Sequence, residues 1–199
     1  MPPSIHPVHL ITVLRQKSLT PVIVFLTSRR SCDEAFQAFE STTETLPQAR
    51  QDVITKVLAE LTAAYPSIQD HPLRQMVTAH GVAAHHAGHL PSWKIAIEEL
   101  MRRGCLDAVF ATTTLAAGVD FPARTVVLTQ SGVRRDQDFS DLTVAEVSQI
   151  SGRAGRRSKD SVGFAIVTPS PYIDLGVLTR GLTGRPEPVD SQFIISYPM

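Results

Sequence analysis

"PVIVFLTSRRSCDEAF", residues 21–36, joins a run of β-branched and apolar residues to a polar segment. The apolar run is typical of a buried strand in a parallel sheet, because strands that are covered on both faces are continuously apolar. In the polar segment, Ser31 and Glu34 have the spacing of a capping box, which predicts the start of a helix. A strand that leads directly into a helix is the repeating unit of an α/β fold.

The same alternation of strands and helices continues along the chain. Further strands are predicted at "GVAAHHA" and over 106–112, 124–129 and 162–168. Further helices are predicted in the N-terminal stretch, over 48–65 with Val53, Val57, Leu58 and Leu61 as its stripe, over 91–104 with Trp93 in the core, and after a capping box of Thr143 and Glu146. We therefore expect a mostly parallel sheet with helices on both faces, and ligands at the carboxyl ends of the strands.

Composition and charge narrow the class of protein. Of the 199 residues, 43% are hydrophobic, and the formal net charge is zero. The overall charge gives no support for a nucleic-acid partner, so that partner has to be argued from local residues. Cys32 and Cys105 lie far apart and no apolar run has the length of a membrane span, so we expect a cytoplasmic protein with no membrane partner. The sequence contains neither a Ser-His-acid pattern nor a dinucleotide-binding pattern, so nothing in it indicates a metabolic enzyme.

"VSQISGRAGRR", residues 147–157, combines a helical pattern with two glycines and three arginines. On a helical wheel, Gln149, Arg153 and Arg156 are spaced i, i+4 and i+7 and fall together, opposite an apolar face. Arginines on a helix usually form a solvated basic face, but this interpretation leaves the glycines unexplained. The alternative is phosphate recognition, in which guanidinium groups bind phosphate oxygens and the glycines allow close approach.

"ATTTLAAGVDFPART", residues 111–125, is the second informative stretch. The hydroxyls of Thr112 and Thr114 at a strand end can bind a phosphate backbone, and the carboxylate of Asp120 can accept from a ribose hydroxyl. An ordinary strand-to-helix loop explains the same residues, with the threonines capping a helix and Gly118 making a turn.

Four stretches of the sequence together indicate a family resemblance. They occur in the order 22–36, 81–91, 110–128 and 147–167. In residue identity and spacing they resemble the second RecA-like domain of Ski-type DExH-box helicases, a superfamily-two group of RNA and DNA motors. The resemblance implies a single RecA-like α/β domain, with ATP held between it and a first RecA-like domain of the same protein. The first domain supplies the phosphate loop and the DExH box, and this sequence has no G-x-x-x-x-G-K-[ST]. We expect the isolated chain to be inactive as an ATPase.

The resemblance also implies roles for particular residues. Gln149, Arg153 and Arg156 match a glutamine-and-arginine motif whose arginines reach the γ-phosphate and stabilise charge in the transition state. Gly118 and Asp120 would touch ATP, while Mg²⁺ would be bound mainly by the first domain. Contacts with the backbone of single-stranded nucleic acid would come from residues that follow strands: Ser28, Arg29, Thr112 and Thr114.

For the chain as a whole we expect a helix or linker from a preceding domain at 1–20, a RecA-like domain at 21–185, and an exit segment toward a winged-helix domain at 186–199. The stretch "SQFIISYPM" resembles the RNA-processing branch of the family and favours RNA as the nucleic-acid partner. In contrast, "TLAAGVDFPART" is close to the sequence of archaeal DNA-unwinding members. A catalytically silent RecA-like module that binds a partner or nucleic acid is the alternative function.

Three features depart from the family pattern or stay open. Ser158 stands where similar sequences usually have glycine. The stretch 131–142 has no confident match, and its two adjacent arginines either contact nucleic acid or pair with neighbouring acids. His85 and His89 lie four residues apart, but a glycine and a proline interrupt any helix that would align them, so we expect no metal site.

Overall fold

The computed structural model describes residues 5–113, 121, 123–135 and 138–184. Seven α-helices lie in this part of the chain: α1 (Pro7–Gln16), α2 (Arg29–Gln37), α3 (Gln48–Thr62), α4 (Arg74–His80), α5 (Pro91–Arg102), α6 (Val144–Ser151) and α7 (Leu175–Thr183). Seven strands accompany them: β1 (Val22–Leu26), β2 (Val82–His85), β3 (Ala108–Thr112), β4 (Thr125–Leu128), β5 (Gly132–Arg135), β6 (Asp138–Asp141) and β7 (Phe164–Val167). Of the helices described, none has the length and apolar character that crossing a membrane requires.

Five of the strands form one parallel sheet in the order β2-β3-β1-β4-β7. β1 lies at its centre, paired in parallel with β3 on one side and β4 on the other, and its register places Leu26 beside Thr112. The predicted α/β class with a mostly parallel sheet is therefore confirmed. Because these strands point the same way, the sheet has an amino edge, where Val22 and Thr125 begin their strands, and a carboxyl edge, where Leu26 and Thr112 end theirs.

The sheet and the surrounding helices share one apolar core. Residues 22–25 of β1 are all buried, as their continuous apolar run predicts. Trp93 of α5 is buried as predicted, and the ring of His71 stacks on its indole with 3.8 Å between the ring centroids. Other apolar residues of α5 are buried too: Ile97, Leu100 and Met101.

The start of α2 differs from the prediction. The helix begins at Arg29 rather than at Ser31, and its N-cap is Ser28, whose hydroxyl accepts a hydrogen bond from the N–H of Ser31 at 3.0 Å. Glu34 pairs with Arg30 instead of closing a capping box. The serine three residues earlier has the same capping chemistry, so the spacing alone did not decide between the two.

Other local predictions are partly right. The capping box of Thr143 and Glu146 is present at the start of α6. In α3, Val53 is exposed and its neighbour Ile54 enters the core, so the predicted stripe is wrong at that position. Within the stretch 131–142, strands β5 and β6 pair in antiparallel fashion, which the sequence pattern did not indicate, and it did not indicate α4 and α7 either.

An ion-pair network attaches α1 and α3 to the start of β3. Asp107 is buried just before β3 and accepts hydrogen bonds from Nε of Arg15 at 2.9 Å and from both terminal nitrogens of Arg50 at 2.8 and 3.0 Å. Ile11 and Leu14 of α1 are buried in the same core. Polar and apolar contacts therefore both hold α1 against the sheet.

Replacing Asp107 with alanine is expected to lower the free energy of unfolding by about 3 kcal/mol, because two guanidinium groups then lose their buried carboxylate. Urea denaturation measures the change. The control is Arg30→Ala, whose side chain is 88% exposed and pairs with an exposed glutamate. That variant should lose much less, because solvent screens an exposed ion pair. Equal losses in the two variants would contradict a structural role for the network.

Candidate functional site

Helix α6 ends before the arginine motif, so the predicted helical face of Gln149, Arg153 and Arg156 is wrong. The last helical residue is Ser151, and Gly152 is the C-cap. Glycine in a helix interior costs about 1 kcal/mol relative to alanine, which favours an end at this point. Gln149 is therefore on the helix, whereas Arg153 and Arg156 lie in the turns that follow it.

The motif's glycines allow close packing of backbone against backbone. Ala154 forms a parallel bridge with Ala123, and the N–H of Gly155 donates to the carbonyl of Ala123 at 2.8 Å. Gly155 has φ +90°, and a Cβ added at Gly163 would overlap the carbonyl carbon of Ala154. Chain packing beside β4 and β7 thus gives a structural reason for Gly155 in the motif and for Gly163 after it.

The next turn explains the unusual residue at position 158. The N–H groups of Lys159 and Asp160 both donate to the carbonyl of Arg156, at 3.1 and 3.0 Å, which closes a tight turn. Ser158 has φ +62° within this turn. A left-handed backbone is disfavoured for residues with a Cβ by about 1–2 kcal/mol, so glycine, the residue expected here from the family resemblance, would fit this turn with less strain than Ser158.

A cavity of about 540 Å³ lies beside the arginine motif. Its cationic lining residues are Arg102, Arg153, Arg156, Arg157 and Lys159. None of the lining residues in the described part of the chain is a carboxylate, so the cavity is complementary to an anion. The structure therefore brings Arg153 and Arg156 together, while Gln149 is exposed on α6 and is not among the described residues of the lining.

Arg156 is held by a carboxylate that is not part of this lining. Its Nε and Nη2 atoms donate to the two oxygens of Asp160 at 2.7 and 2.9 Å, and its backbone N–H donates to Oδ2 of Asp160 at 3.0 Å. These hydrogen bonds lower the pKa of Asp160 to about 2, so the carboxylate is ionised at neutral pH. The same carboxylate raises the pKa of Arg156.

Sequence reasoning missed three cations of the cavity and this carboxylate. Arg157, Lys159 and Asp160 follow the motif in "RRSKD", so the local density of charge could have indicated them. Arg102 comes from the end of α5, about fifty residues earlier in the chain, and only the tertiary structure brings it to the site.

The arginines do not lie at the carboxyl ends of the strands, where the sequence pattern predicts ligands to bind. Ala154 is bridged to Ala123, just before β4, so the motif lies at the amino edge of the sheet. The physical reason is that a helix connecting parallel strands runs back along the sheet. Residues at the end of such a helix therefore reach the opposite edge from residues at its start.

Of the residues expected to contact nucleic acid, the three that the structure describes lie at the carboxyl edge. Thr112 is the last residue of β3 and pairs in register with Leu26, while Ser28 and Arg29 follow β1 directly. Ser28 and Arg29 are exposed and Thr112 is half-buried. The hydroxyl of Ser28 already caps α2 and lies 2.8 Å from the hydroxyl of Ser31, so it has a structural role as well.

His86, which follows β2, is hydrogen-bonded to an acid from α2. Nε2 of His86 lies 2.9 Å from Oδ1 of Asp33, and the N–H of Gly88 donates to Nδ1 of His86 at 3.1 Å. His89 completes a triad with the spacing of a metal site. A metal on Nε2 of His86 would move its proton to Nδ1, against the N–H of Gly88. The geometry thus favours the hydrogen bond over a metal, and the expectation of no metal stays a prediction.

His89 is nearly buried, and burial lowers its pKa to about 4. Its Nδ1 atom is buried with no hydrogen-bond partner in the described part of the chain. Burial also lowers the pKa of His85, against the opposing effect of a 2.9 Å hydrogen bond to Glu98. Both rings therefore favour the neutral state in the folded protein.

The histidine pKa values predict a pH dependence of stability. The unfolded chain binds a proton at His89 near pH 6.5 but the folded chain only near pH 4, so stability falls as the pH drops through this window. Between pH 7 and pH 4 the free energy of unfolding of the unsubstituted protein should fall by up to about 3 kcal/mol more than that of His89→Gln. This follows from about 1.4 kcal/mol per unit of difference between the folded and unfolded pKa values. Urea denaturation at several pH values measures this. Parallel pH profiles for the two proteins would contradict it.

Several predicted site residues lie outside the described residues, namely Thr114, Gly118 and Asp120, and so does the segment 186–199. Arg134 and Arg135 belong to strand β5, but their side chains are outside the described part of the structure. Their predicted roles therefore stay predictions.

Known proteins resemble almost the whole chain, although no protein-family model matches it. It is 35% identical to the DExH-box ATP-dependent RNA helicase DExH15, chloroplastic, of Arabidopsis thaliana, over 94% of this chain and 16% of that protein. It is 37% identical to the probable helicase HelY of Mycobacterium leprae, over 95% of this chain and 21% of that protein. It is 33% identical to Superkiller complex protein 2 of Homo sapiens, over 96% of this chain and 16% of that protein.

The chain thus spans about a sixth to a fifth of the length of these curated relatives. The similarity extends over both edges of the sheet, including the arginine motif and the strand ends, and it agrees with the parallel α/β architecture. The chain therefore belongs to the Ski-type DExH-box helicase family, as a RecA-like domain.

Proposed function

We propose that the chain is the second motor domain of an ATP-dependent nucleic-acid helicase, in which Arg153 and Arg156 act as arginine fingers. The observation that carries the proposal is the cationic cavity at the amino edge, where both arginines are lining residues. Guanidinium groups bind phosphate oxygens through planar, charge-assisted hydrogen bonds, and the cavity's described lining has no carboxylate to oppose a phosphate.

In this proposal the domain contributes charge rather than a nucleophile. The transition state of phosphoryl transfer spreads negative charge over the γ-phosphate oxygens, and arginines placed there stabilise it. Because no described residue of the lining is a carboxylate, Mg²⁺ would be held by the first RecA-like domain with the phosphate loop. Gly118 and Asp120 would contact ATP, and Gln149 would approach it from α6.

The second half of the proposal concerns the carboxyl edge. Ser28, Arg29, Thr112 and Thr114 would bind the phosphates of a single strand, through contacts that do not depend on base sequence. Three of these residues are described, and they lie at the carboxyl edge, away from the arginine motif. The sites for ATP and for nucleic acid should therefore be separable by mutation.

A catalytically silent module is the second candidate, and one observation favours it. Asp160 already takes two of the N–H groups of Arg156, which reduces the donors available to a phosphate. Three N–H groups of the guanidinium remain, however, so the pairing is also compatible with a finger. The two candidates differ in whether the arginines affect ATP turnover.

A reducing, cytoplasmic location is part of the proposal. Cys32 and Cys105 are buried free thiols, and burial raises the pKa of Cys32 to about 12. Protonated, buried thiols are unreactive and need no oxidising compartment.

Arg153→Ala or Arg156→Ala in the full-length protein should reduce ATP turnover by roughly 10³-fold or more, the scale of arginine-finger losses. Nucleic-acid affinity should change little. Thr112→Ala should instead weaken nucleic-acid binding and its salt dependence. Steady-state ATPase rates and binding titrations at several salt concentrations measure both. The control is Arg103→Ala, which neighbours the cavity but pairs with Glu60 and Glu99.

The outcomes separate the candidates. Unchanged turnover in both arginine variants would favour the silent module. If the arginine variants and Thr112→Ala lose turnover and binding to the same degree, the separation of the two edges into two roles is wrong.

RNA is the proposed polymer, supported by the "SQFIISYPM" ending and by relatives such as DExH15 that are named RNA helicases. ATPase stimulation of the full-length protein by matched single-stranded RNA and DNA, at one salt concentration, tests this. Greater stimulation by RNA is expected, because RNA-specific proteins gain contacts to the 2′-hydroxyl. Equal or greater stimulation by DNA would overturn the choice of polymer but not the helicase proposal.

A further inference from the structure

We infer that Asp160 is a positioning residue that orients Arg156 toward the cavity before ATP arrives, and this inference rests on the proposed role of Arg156. A guanidinium group carries five N–H donors in one plane. Asp160 takes the donor on Nε and one on Nη2. This side-on pairing leaves both donors of Nη1 without a hydrogen-bond partner among the described residues.

The sequence places the carboxylate next to Arg156 through a local turn. The carbonyl of Arg156 accepts hydrogen bonds from the N–H groups of Lys159 and Asp160, and Ser158 takes the left-handed backbone conformation between them. The backbone N–H of Arg156 also donates to Oδ2 of Asp160 at 3.0 Å. One carboxylate thus fixes both the backbone and the side chain of Arg156.

Burial makes this pairing hard to break. The side chain of Asp160 is only 1% exposed, and a buried carboxylate without partners is strongly disfavoured. Its second cationic neighbour, Arg124, lies 3.7 Å away, which is within ion-pair range but too far for a hydrogen bond. If the side chain of Arg156 swung away, Asp160 would lose the two hydrogen bonds from the guanidinium group and keep only the one from the backbone N–H of Arg156.

The pairing with Asp160 preorganises the side chain of Arg156. An arginine side chain has several rotatable bonds, and ordering it during the reaction would add to the barrier. Here the ordering is achieved on folding, and the two donors of Nη1 stay available on a residue that lines the cavity. Removing the carboxylate should therefore affect the transition state more than the binding of ATP.

The decisive variant is Asp160→Asn in the full-length protein, because it keeps the size of the side chain but replaces one acceptor with a donor. We expect kcat for ATP hydrolysis to fall by about 10- to 100-fold, the scale of a misplaced catalytic group, with KM for ATP changed by less than about threefold. Asp160→Glu keeps the charge and should retain more activity than Asp160→Asn. A fall in nucleic-acid affinity is not expected.

A double-mutant cycle with Arg156→Ala tests whether Asp160 acts through Arg156. The double variant should have the same kcat as Arg156→Ala alone, since there is no finger left to position. An additional loss in the double variant would overturn the inference. So would unchanged or raised kcat in Asp160→Asn while Arg156→Ala is impaired. If Arg156→Ala itself has normal turnover, the proposed function fails together with this inference.

A matched control distinguishes misplacement of Arg156 from a general loss of folding. Asp107→Asn alters another buried carboxylate that is paired with arginines but does not line the cavity. Thermal melts should show that both Asn variants are folded at the assay temperature. If the two variants lower kcat in proportion to their loss of melting temperature, Asp160 has only a structural role and the inference is wrong.

Discussion

The common direction of the five strands in the sheet is the constraint on which the candidate sites depend. Parallel neighbours cannot be joined by a tight turn, so the chain must cross back along the sheet before each new strand. Every strand-to-helix junction then lies at the carboxyl edge, and every helix-to-strand junction at the amino edge. Ser28 belongs to the first kind of junction and Arg153 to the second. The backbone pairing of β1 with β3 and β4 thereby separates the two sites.

At the amino edge the main physical problem is the crowding of positive charge. Five cationic side chains line one cavity, and their repulsion in the absence of ligand has to be offset. Two of them have a carboxylate partner outside the described lining, Asp160 for Arg156 and Glu99 for Arg102. Hydrogen bonds from Arg156 lower the pKa of Asp160 to about 2, and those from Arg102 and Arg103 lower the pKa of Glu99 to about 2. The acids stabilise the cluster from the side, while the described lining of the cavity stays free of carboxylates.

At the carboxyl edge hydrogen bonds rather than charges organise the surface. The capping hydroxyl of Ser28 sets the direction of α2 as it leaves β1. Asp33 on that helix then binds His86, which follows β2, so the ends of two strands are tied together. The stem of Arg29 packs close to Gly88, where a Cβ would lie 3.6 Å from its Cδ atom. These hydrogen bonds and this packing contact therefore connect the segments that follow β1 and β2 at the carboxyl edge.

The sequence by itself determined the class of fold and the chemistry of the motifs. The continuous apolar run 22–25 is buried as its own residues predict, and guanidinium groups have an intrinsic affinity for anions, so both features could be inferred locally. The tertiary structure decided where α6 ends, that Arg102 joins the cavity, and that Asp160 rather than solvent binds Arg156. The reason is that these features depend on close packing of Ala154 against Ala123 and on groups far apart in the chain, and helical periodicity carries no information about either.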